Sequence, residues 1–550
     1  MRRSLLLAVL ACGALVPAVG AQQRAFTHAD TLRGSITPQR AWWDVLFYDL
    51  DVRIQPSDRS ISGSDRITYR VVSPATEMQI DLQQPLVVDS IVQDGRQLAH
   101  RRDGNAFFVT IGTPQPVGST QRVAVFYHGI PRAAKNAPWD GGFVWKTDGL
   151  GRPWIATAVQ GLGASAWWPN KDTQADEPDS LRLAVTLPDP LVDVSNGRLR
   201  GTTHNADGTS TFTWFVQNPI NNYDVAISAG DYRHFGETYQ GESGALTLDF
   251  WPLASHEAAA RLQFAQVRPM LACFEHWFGP YPWYADGYKL VEAPHLGMEH
   301  QSAVAYGNNF MNGYLGRDLS GTGEGLKWDF IIVHESAHEW FGNSLTSADI
   351  ADMWVHESFA NYAENLYTEC QSGKAAGARY VIGTRPRVRN DRPIVGAFGV
   401  QDEGSSDMYD KGGNMLHTIR QLVHDDERWR GILRGLGTTF GHTVVTGTRV
   451  QQYISAQAGM DLSRVFAQYL TTTMIPSLEY AVVDSAVAYR WTNVVPGFDM
   501  PVRVSLGSGD SRLLRPTTAW QWERLPVAAP VELHVDENFF VTARAVAPPR

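Results

Sequence analysis

The sequence predicts an α+β multidomain protein: an N-terminal antiparallel β domain, a mainly α middle domain and a small C-terminal β domain. Three observations carry this. From Trp43 to about His234 apolar and polar residues alternate, as in Tyr48-Asp49-Leu50-Asp51-Val52-Arg53-Ile54, which is the period of a half-buried strand. From about Phe235 the apolar residues fall at helical spacing, as Phe264, Val267, Leu271, Phe274 and Phe278 do. Alternation then returns after about Leu478, in Val502-Arg503-Val504 and Val531-Glu532-Leu533-His534-Val535. A chain of 550 residues is long enough for several such domains, each with its own core.

In chain order, Met1-Arg2-Arg3 precedes an apolar run from Ser4 to Val19, which ends in the small residues Ala18-Val19-Gly20-Ala21. A basic start and an apolar run too short to span a bilayer read as a secretory signal peptide, residues 1–21. The protein is therefore expected to be exported, to the periplasm or the medium. No later stretch is apolar enough to predict a transmembrane segment. The net charge of −10 argues against nucleic acid or an anionic membrane as partner. Of the three cysteines, Cys12 falls in the signal. Cys273 and Cys370 lie in helix-like segments and read as buried thiols, a disulfide being allowed but not implied.

Residues 22–235 form the expected β domain. Its turn signals recur at Pro56-Ser57-Asp58, Asp94-Gly95, Asp103-Gly104-Asn105 and Asp207-Gly208, so a large antiparallel sheet or sandwich is predicted. Between Gln160 and Asp172, and on to Asp176-Glu177-Pro178, the density of Gly, Trp and Pro predicts a packed loop. Residues 236–478 form the helical domain. Ser255 is a fair N-cap, Pro269 should kink the helix it sits in, and Gly279-Pro280-Tyr281-Pro282 should stop it. Residues 311–325 read as a Gly-rich loop, and residues 479–550 as the closing β domain.

The chemistry centres on His334-Glu335-Ser336-Ala337-His338. Histidines four apart on a helix present both imidazoles on one face, where they can share one metal ion. Glu335 points elsewhere around the axis and suits a base better than a ligand. Phe330, Ile331, Ile332 and Val333 before the pair, with Trp340 and Phe341 after it, predict a buried helix. Buried histidines and glutamates need partners, and a metal supplies them. Gly342-Asn343 should end that helix. A catalytic zinc takes three protein ligands and keeps one position for water. The segment Asp352 to Glu364 has helical spacing, and Glu357 is its natural oxygen ligand. His356 is a weaker rival, since an adjacent residue projects about 100° away. Glu364, two turns on, is either a hydrogen-bond partner of a ligand or an ordinary salt-bridge residue. One zinc per chain is expected, on His334, His338 and Glu357.

With these residues the chain resembles the M1 family of zinc aminopeptidases, the gluzincins with H-E-x-x-H, eighteen residues, then Glu; here residues 339–356 are the eighteen. His338-Glu339-Trp340-Phe341-Gly342-Asn343 is similar to the family's H-x-W-F-G-N, and residues 279–282 to its G-P-Y-P. Trp354 to Ala360 resembles W-L-N-E-G-F-A, with His356 and Ser358 replacing Asn and Gly. Gly297-Met298-Glu299-His300 resembles the exopeptidase motif G-x-M-E-N, with His300 in place of Asn and only part of the leading pair matched. Tyr409-Asp410-Lys411-Gly412 resembles Y-x-K-G.

The resemblance implies a thermolysin-like catalytic domain and a zinc-dependent aminopeptidase acting on peptides with a free N-terminus. Glu299 would hold the substrate α-ammonium by a charge-assisted hydrogen bond and reject internal segments, which lack that charge. Gln160, at the start of the loop ending Asp176-Glu177-Pro178, would help it. The backbone at Gly297 and Met298 would pair with an extended substrate, and Tyr409 would donate to the oxyanion. Many members carry a large C-terminal helical domain where residues 479–550 read as β, so a more open site is expected. The rivals are an endopeptidase on the same metal site, which makes Glu299 a bystander, and a non-catalytic peptide-binding protein. Nothing in the sequence supports the epoxide hydrolase activity of one M1 branch.

Overall fold

A computed structural model describes residues 25–483, 486–506, 511–524 and 533–548. The expected signal peptide and Cys12 lie outside the described residues.

The strand Trp43–Gln55 founds the N-terminal part, with Leu50, Val52 and Ile54 turned inward. It pairs antiparallel with Ser60–Val71 and parallel with Ser180–Pro188. The parallel pair is a departure from an all-antiparallel sheet. It arises because the intervening chain returns to the other side of the first strand after building most of the domain. Eight strands make this sheet, and four- and three-stranded sheets complete the β-rich part. Its core takes side chains from all three, Ile67, Ile80 and Ile155 among them. Trp167 and Trp168 of the Gly- and Trp-rich loop are buried in it, and Trp168 meets Tyr48 edge-on at 4.8 Å.

Helices do not take over at Phe235. Phe235–Gly241 and Gly244–Trp251 form a hairpin, because Leu246, Leu248 and Phe250 alternate into the core. The hairpin opens a five-stranded sheet in which Tyr288–Glu292, Val304–Tyr306 and the edge strand Gly297–Met298 follow. Met298 packs into the core of the β-rich part, so this edge lies on the seam between the two. Ser255 is not a cap: it sits in the turn Ala254–His256, and the helix Glu257–Gln263 starts without a side-chain cap. Pro269 does not kink a helix. The chain breaks at the 3₁₀ turn Phe264–Gln266, and a new helix, Val267–Phe278, begins. Pro269 falls in its first turn, where an N–H has no intrahelical acceptor to lose.

The helix Phe330–Ala337 is wholly buried. Asp329 caps it, accepting from the backbone N–H of Ile331 and Ile332 at 3.0 and 3.3 Å. The helix ends earlier than Gly342-Asn343 implied. His338 is its last cap residue, and Glu339–Asn343 makes a wider turn in which Phe341 and Gly342 leave helical angles. Gly342 takes φ 131° there, a region open to glycine. The long helix Trp354–Ser372 packs alongside.

Cys273 and Cys370 are not free thiols. They form a disulfide, with Cα atoms 6.1 Å apart. Each lies on a helix of its own, and only the packing of Val267–Phe278 beside Trp354–Ser372 brings them together. After the helix Ser463–Leu470 the chain returns to strands, in a four- and a three-stranded sheet. These share the core of the helical part, where Phe540 stacks on Tyr469 at 5.9 Å. Among the described residues no helix is long and apolar enough to cross a membrane.

Candidate active site

His334 in the last turn of its helix and His338 at its cap turn their Nε2 atoms to the same point. Glu357 reaches that point from the neighbouring helix, its Oε2 lying 3.5 Å from His334 Nε2 and 3.4 Å from His338 Nε2. One ligand atom from each of the three falls within 4.8 Å of the others. The outer nitrogen of each ring is fixed. His334 Nδ1 lies 2.8 Å from Glu364 Oε1, and His338 Nδ1 lies 2.9 Å from the Phe341 carbonyl oxygen. The early end of the helix is what brings that carbonyl within reach. Glu364 is thus a partner of a metal-site histidine, the arrangement that fixes tautomer and ring orientation at metal centres. It is held in turn by the Tyr380 hydroxyl, which donates to Oε2 at 2.6 Å.

The donor set fits zinc. Glu357 Oε2 is buried without a hydrogen-bond partner. Burial works against the His334 imidazolium, yet Glu357 and Glu364 raise its pKa well above the ordinary value. Glu357 is held well below the carboxylate range by the two imidazoles, against burial. Such a cluster is stabilised by a cation, and two imidazoles with one carboxylate are the ligands of a catalytic zinc. His356 is not among them: its Nε2 accepts the Ser347 N–H at 2.9 Å.

The remaining predicted residues surround this point. Glu335 and Glu299 each bring a carboxylate oxygen within 4.8 Å of a His338 ring nitrogen. Glu335 is raised in pKa by burial, the two histidines opposing. Gly297 lies against it, since a Cβ there would stand 2.7 Å from Glu335 Oε1 and 2.9 Å from Ile331. Only glycine lets the edge strand approach so closely. The Gln160 side-chain amide donates to Glu299 and, at 3.4 Å, to Glu357 Oε1. Tyr409 lies over His334, ring centroids 5.9 Å apart. Burial, then Glu357 and Glu299, lift its phenol well above the usual pKa, so it keeps its proton. All these residues line one cavity of about 520 Å³, together with Met298.

The departures from the motifs have local reasons. Ser358 donates to the Met408 carbonyl at 2.7 Å, fixing the residue before Tyr409. Gly412 lies against Ser358, where a Cβ would come within 2.0 Å of its hydroxyl. His300 is buried beside His295, and burial pushes its pKa down to about 3, so it is a neutral ring. Asn343 does more than end a helix: its amide donates to the Glu299 carbonyl at 2.8 Å and to Glu339 at 3.1 Å. Sequence reasoning missed Tyr223, whose hydroxyl donates to Glu299 Oε1 at 3.2 Å, and Tyr380. Neither carries a local signal, since each looks like an ordinary core aromatic.

Comparison with known proteins follows the same lines. Residues 263–469 match the model of the peptidase family M1 domain. Aminopeptidase B of Mus musculus is 24% identical over 521 residues, covering 86% of this chain and 72% of that protein. Human aminopeptidase B is 22% identical, covering 94% and 80%. Among solved structures, a mutant of an M1 zinc metallopeptidase from Deinococcus radiodurans, bound to a Tyr-Ser-Ala substrate, superposes with a TM-score of 0.68 at 22% identity. That match covers 80% of this chain and 96% of the other.

Proposed function

We propose, this chain being a member of the M1 peptidase family, that it is a zinc-dependent aminopeptidase releasing N-terminal residues from peptides. The observation that carries the exopeptidase reading is Glu299. Its carboxylate stands beside the metal ligands, at the end of the edge strand Gly297–Met298, with Gln160 and Tyr223 fixing it. Burial raises its pKa, with His338 opposing, so a substrate α-ammonium beside it favours its charged form. A free amine placed there puts the first peptide bond at the metal ligands; an internal segment has no charge to offer and leaves the buried Glu299 without a cationic substrate partner.

His334, His338 and Glu357 would hold the zinc, which when bound would supply a Lewis acid for the scissile carbonyl and for water. Glu335 accepts the proton of the attacking water and delivers it to the leaving amine. Burial raises its pKa, the two histidines opposing, which is the direction that suits a group that must give the proton back. The Tyr409 hydroxyl donates to the oxyanion as charge develops. The backbone of Gly297 and Met298, at an unpaired sheet edge, receives the substrate as an added strand.

The test is release of a chromophore from unblocked amino-acid amides and from their N-acetylated partners, with and without a chelator. The proposal requires cleavage of free amines alone, abolished by the chelator and restored by zinc. Cleavage of acetylated substrates at comparable rates would instead support an endopeptidase.

Export belongs to the same proposal. The pattern of residues 1–21 supports it, as does the Cys273–Cys370 disulfide, since such bonds persist in oxidising compartments. Expression in a bacterial host followed by N-terminal sequencing checks it: a mature chain beginning near Gln22 is expected, and an intact Met1 in the cytoplasm would refute it.

A further inference from the structure

We propose that the cleft wall away from Glu299 is a carboxylate subsite, formed by Arg317, Arg387 and Arg389, that captures the C-terminus of short peptide substrates. This rests on the aminopeptidase reading and extends it to a substrate class.

A second cavity, of about 820 Å³, opens from the site. His334, Glu335 and Tyr409 border both cavities, but Glu299 borders only the smaller and the three arginines only the larger. Arg33 and Arg392 also border the smaller cavity, but each has a carboxylate partner, Asp172 and Asp402. The cleft thus offers a carboxylate for an ammonium at one end and, at the other, guanidinium groups of which Arg317 and Arg389 have no carboxylate partner among the described residues. A line of ring contacts sets an upper limit on the span. Phe330 stacks on His334 at 5.2 Å, Tyr314 meets Phe330 edge-on at 5.3 Å, and the Arg317 guanidinium lies 5.5 Å from the centre of the Tyr314 ring. An extended chain covers about 3.3–3.6 Å per residue. The carboxylate of a residue within about four positions of the cleaved bond thus comes within reach of Arg317.

The arginines are available for it. Among the described residues no carboxylate pairs with Arg317 or Arg389, while Arg387 uses its Nε on Asp410 at 3.0 Å. Of the other acids of this wall, Asp407 accepts the backbone N–H groups of Arg389 and Asn390 at 2.8 and 2.6 Å, Glu364 serves His334 and Tyr380, and Glu403 borders both cavities and so is shared with the Glu299 end. Those two backbone bonds also fix the segment that presents Arg389. Arginine's planar fork matches a carboxylate with two parallel hydrogen bonds.

The experiment compares Ala-Ala-Ala with its C-terminal amide, and with Ala-Ala-Asp amide, on the wild-type protein and on Arg317→Gln/Arg389→Gln. Expected for the wild type is a KM about 5- to 10-fold lower for the free acid than for the amide, with similar kcat. The ratio should shrink at high salt and collapse towards one in the double variant. Ala-Ala-Asp amide separates the sources: a matching gain shows that a side-chain carboxylate is accepted too, and no gain shows a site specific for the chain terminus. Equal KM for acid and amide in the wild type overturns the subsite, and needs no variant to fold. Alanine p-nitroanilide, which has no such carboxylate, keeps the two readings apart: if the wild type leaves it uncut, the aminopeptidase reading itself has failed.

Discussion

The metal half of the site and the anchor half are built on different principles. His334, His338, Glu357 and Glu364 come from two adjacent helices in one core, and the longest link among them, His334 to Glu364, spans 30 residues. Gln160 and Glu299 are 139 residues apart, and their contact joins a loop of the β-rich part to an edge strand of the helical part. The metal half depends on local helical periodicity. The anchor half exists only once two domains have docked. The chemistry of bond cleavage and the choice of substrate terminus therefore sit on separable pieces of structure.

The largest expected effect breaks the metal half chemically while leaving it intact structurally. Glu335→Gln keeps the zinc ligands, so zinc content should remain one per chain while kcat falls about 10³-fold. Loss of zinc in that variant would make Glu335 a ligand. Glu364→Gln acts one step further out. It removes the carboxylate behind His334, and competition with a chelator should show zinc held about 10- to 100-fold more weakly.

The smallest effect lies in the β-rich part. Asp193 accepts from Ser195 and Trp214, and burial raises its pKa to about 8. An unfolded aspartate titrates near ~3.9. Between these values the unfolded chain releases a proton that the native chain keeps. The stabilisation from this residue is then complete below the lower value and is lost as pH climbs towards about 8. Asp193→Asn should flatten the dependence of Tm on pH between about 5 and 8. An unchanged slope would show that Asp193 is ionised in the native protein.

What the sequence made legible follows the same division. His334, His338 and Glu357 were readable because helical spacing fixes which side chains share a face. The extent of the helix was not, since its end at Ala337 is set by tertiary demands on the Phe341 carbonyl and on Gly342. The role of Glu364 is not legible from the sequence, as nothing local says which neighbour it meets. Tyr223 and Tyr380 were invisible, their hydroxyls being directed by packing alone. The Cys273–Cys370 bond and the Phe235–Trp251 hairpin were misread for related reasons: one depends on which helices are neighbours, the other on a sheet whose remaining strands come later in the chain.

The most direct measurement of separable halves is zinc content together with activity on free and N-acetylated substrates for Glu299→Ala. The account predicts one zinc per chain, as in the wild type, with kcat/KM on free amines reduced about 10²-fold and the preference over acetylated substrates largely erased. Loss of zinc from the variant, or undiminished selectivity for free amines, would contradict it.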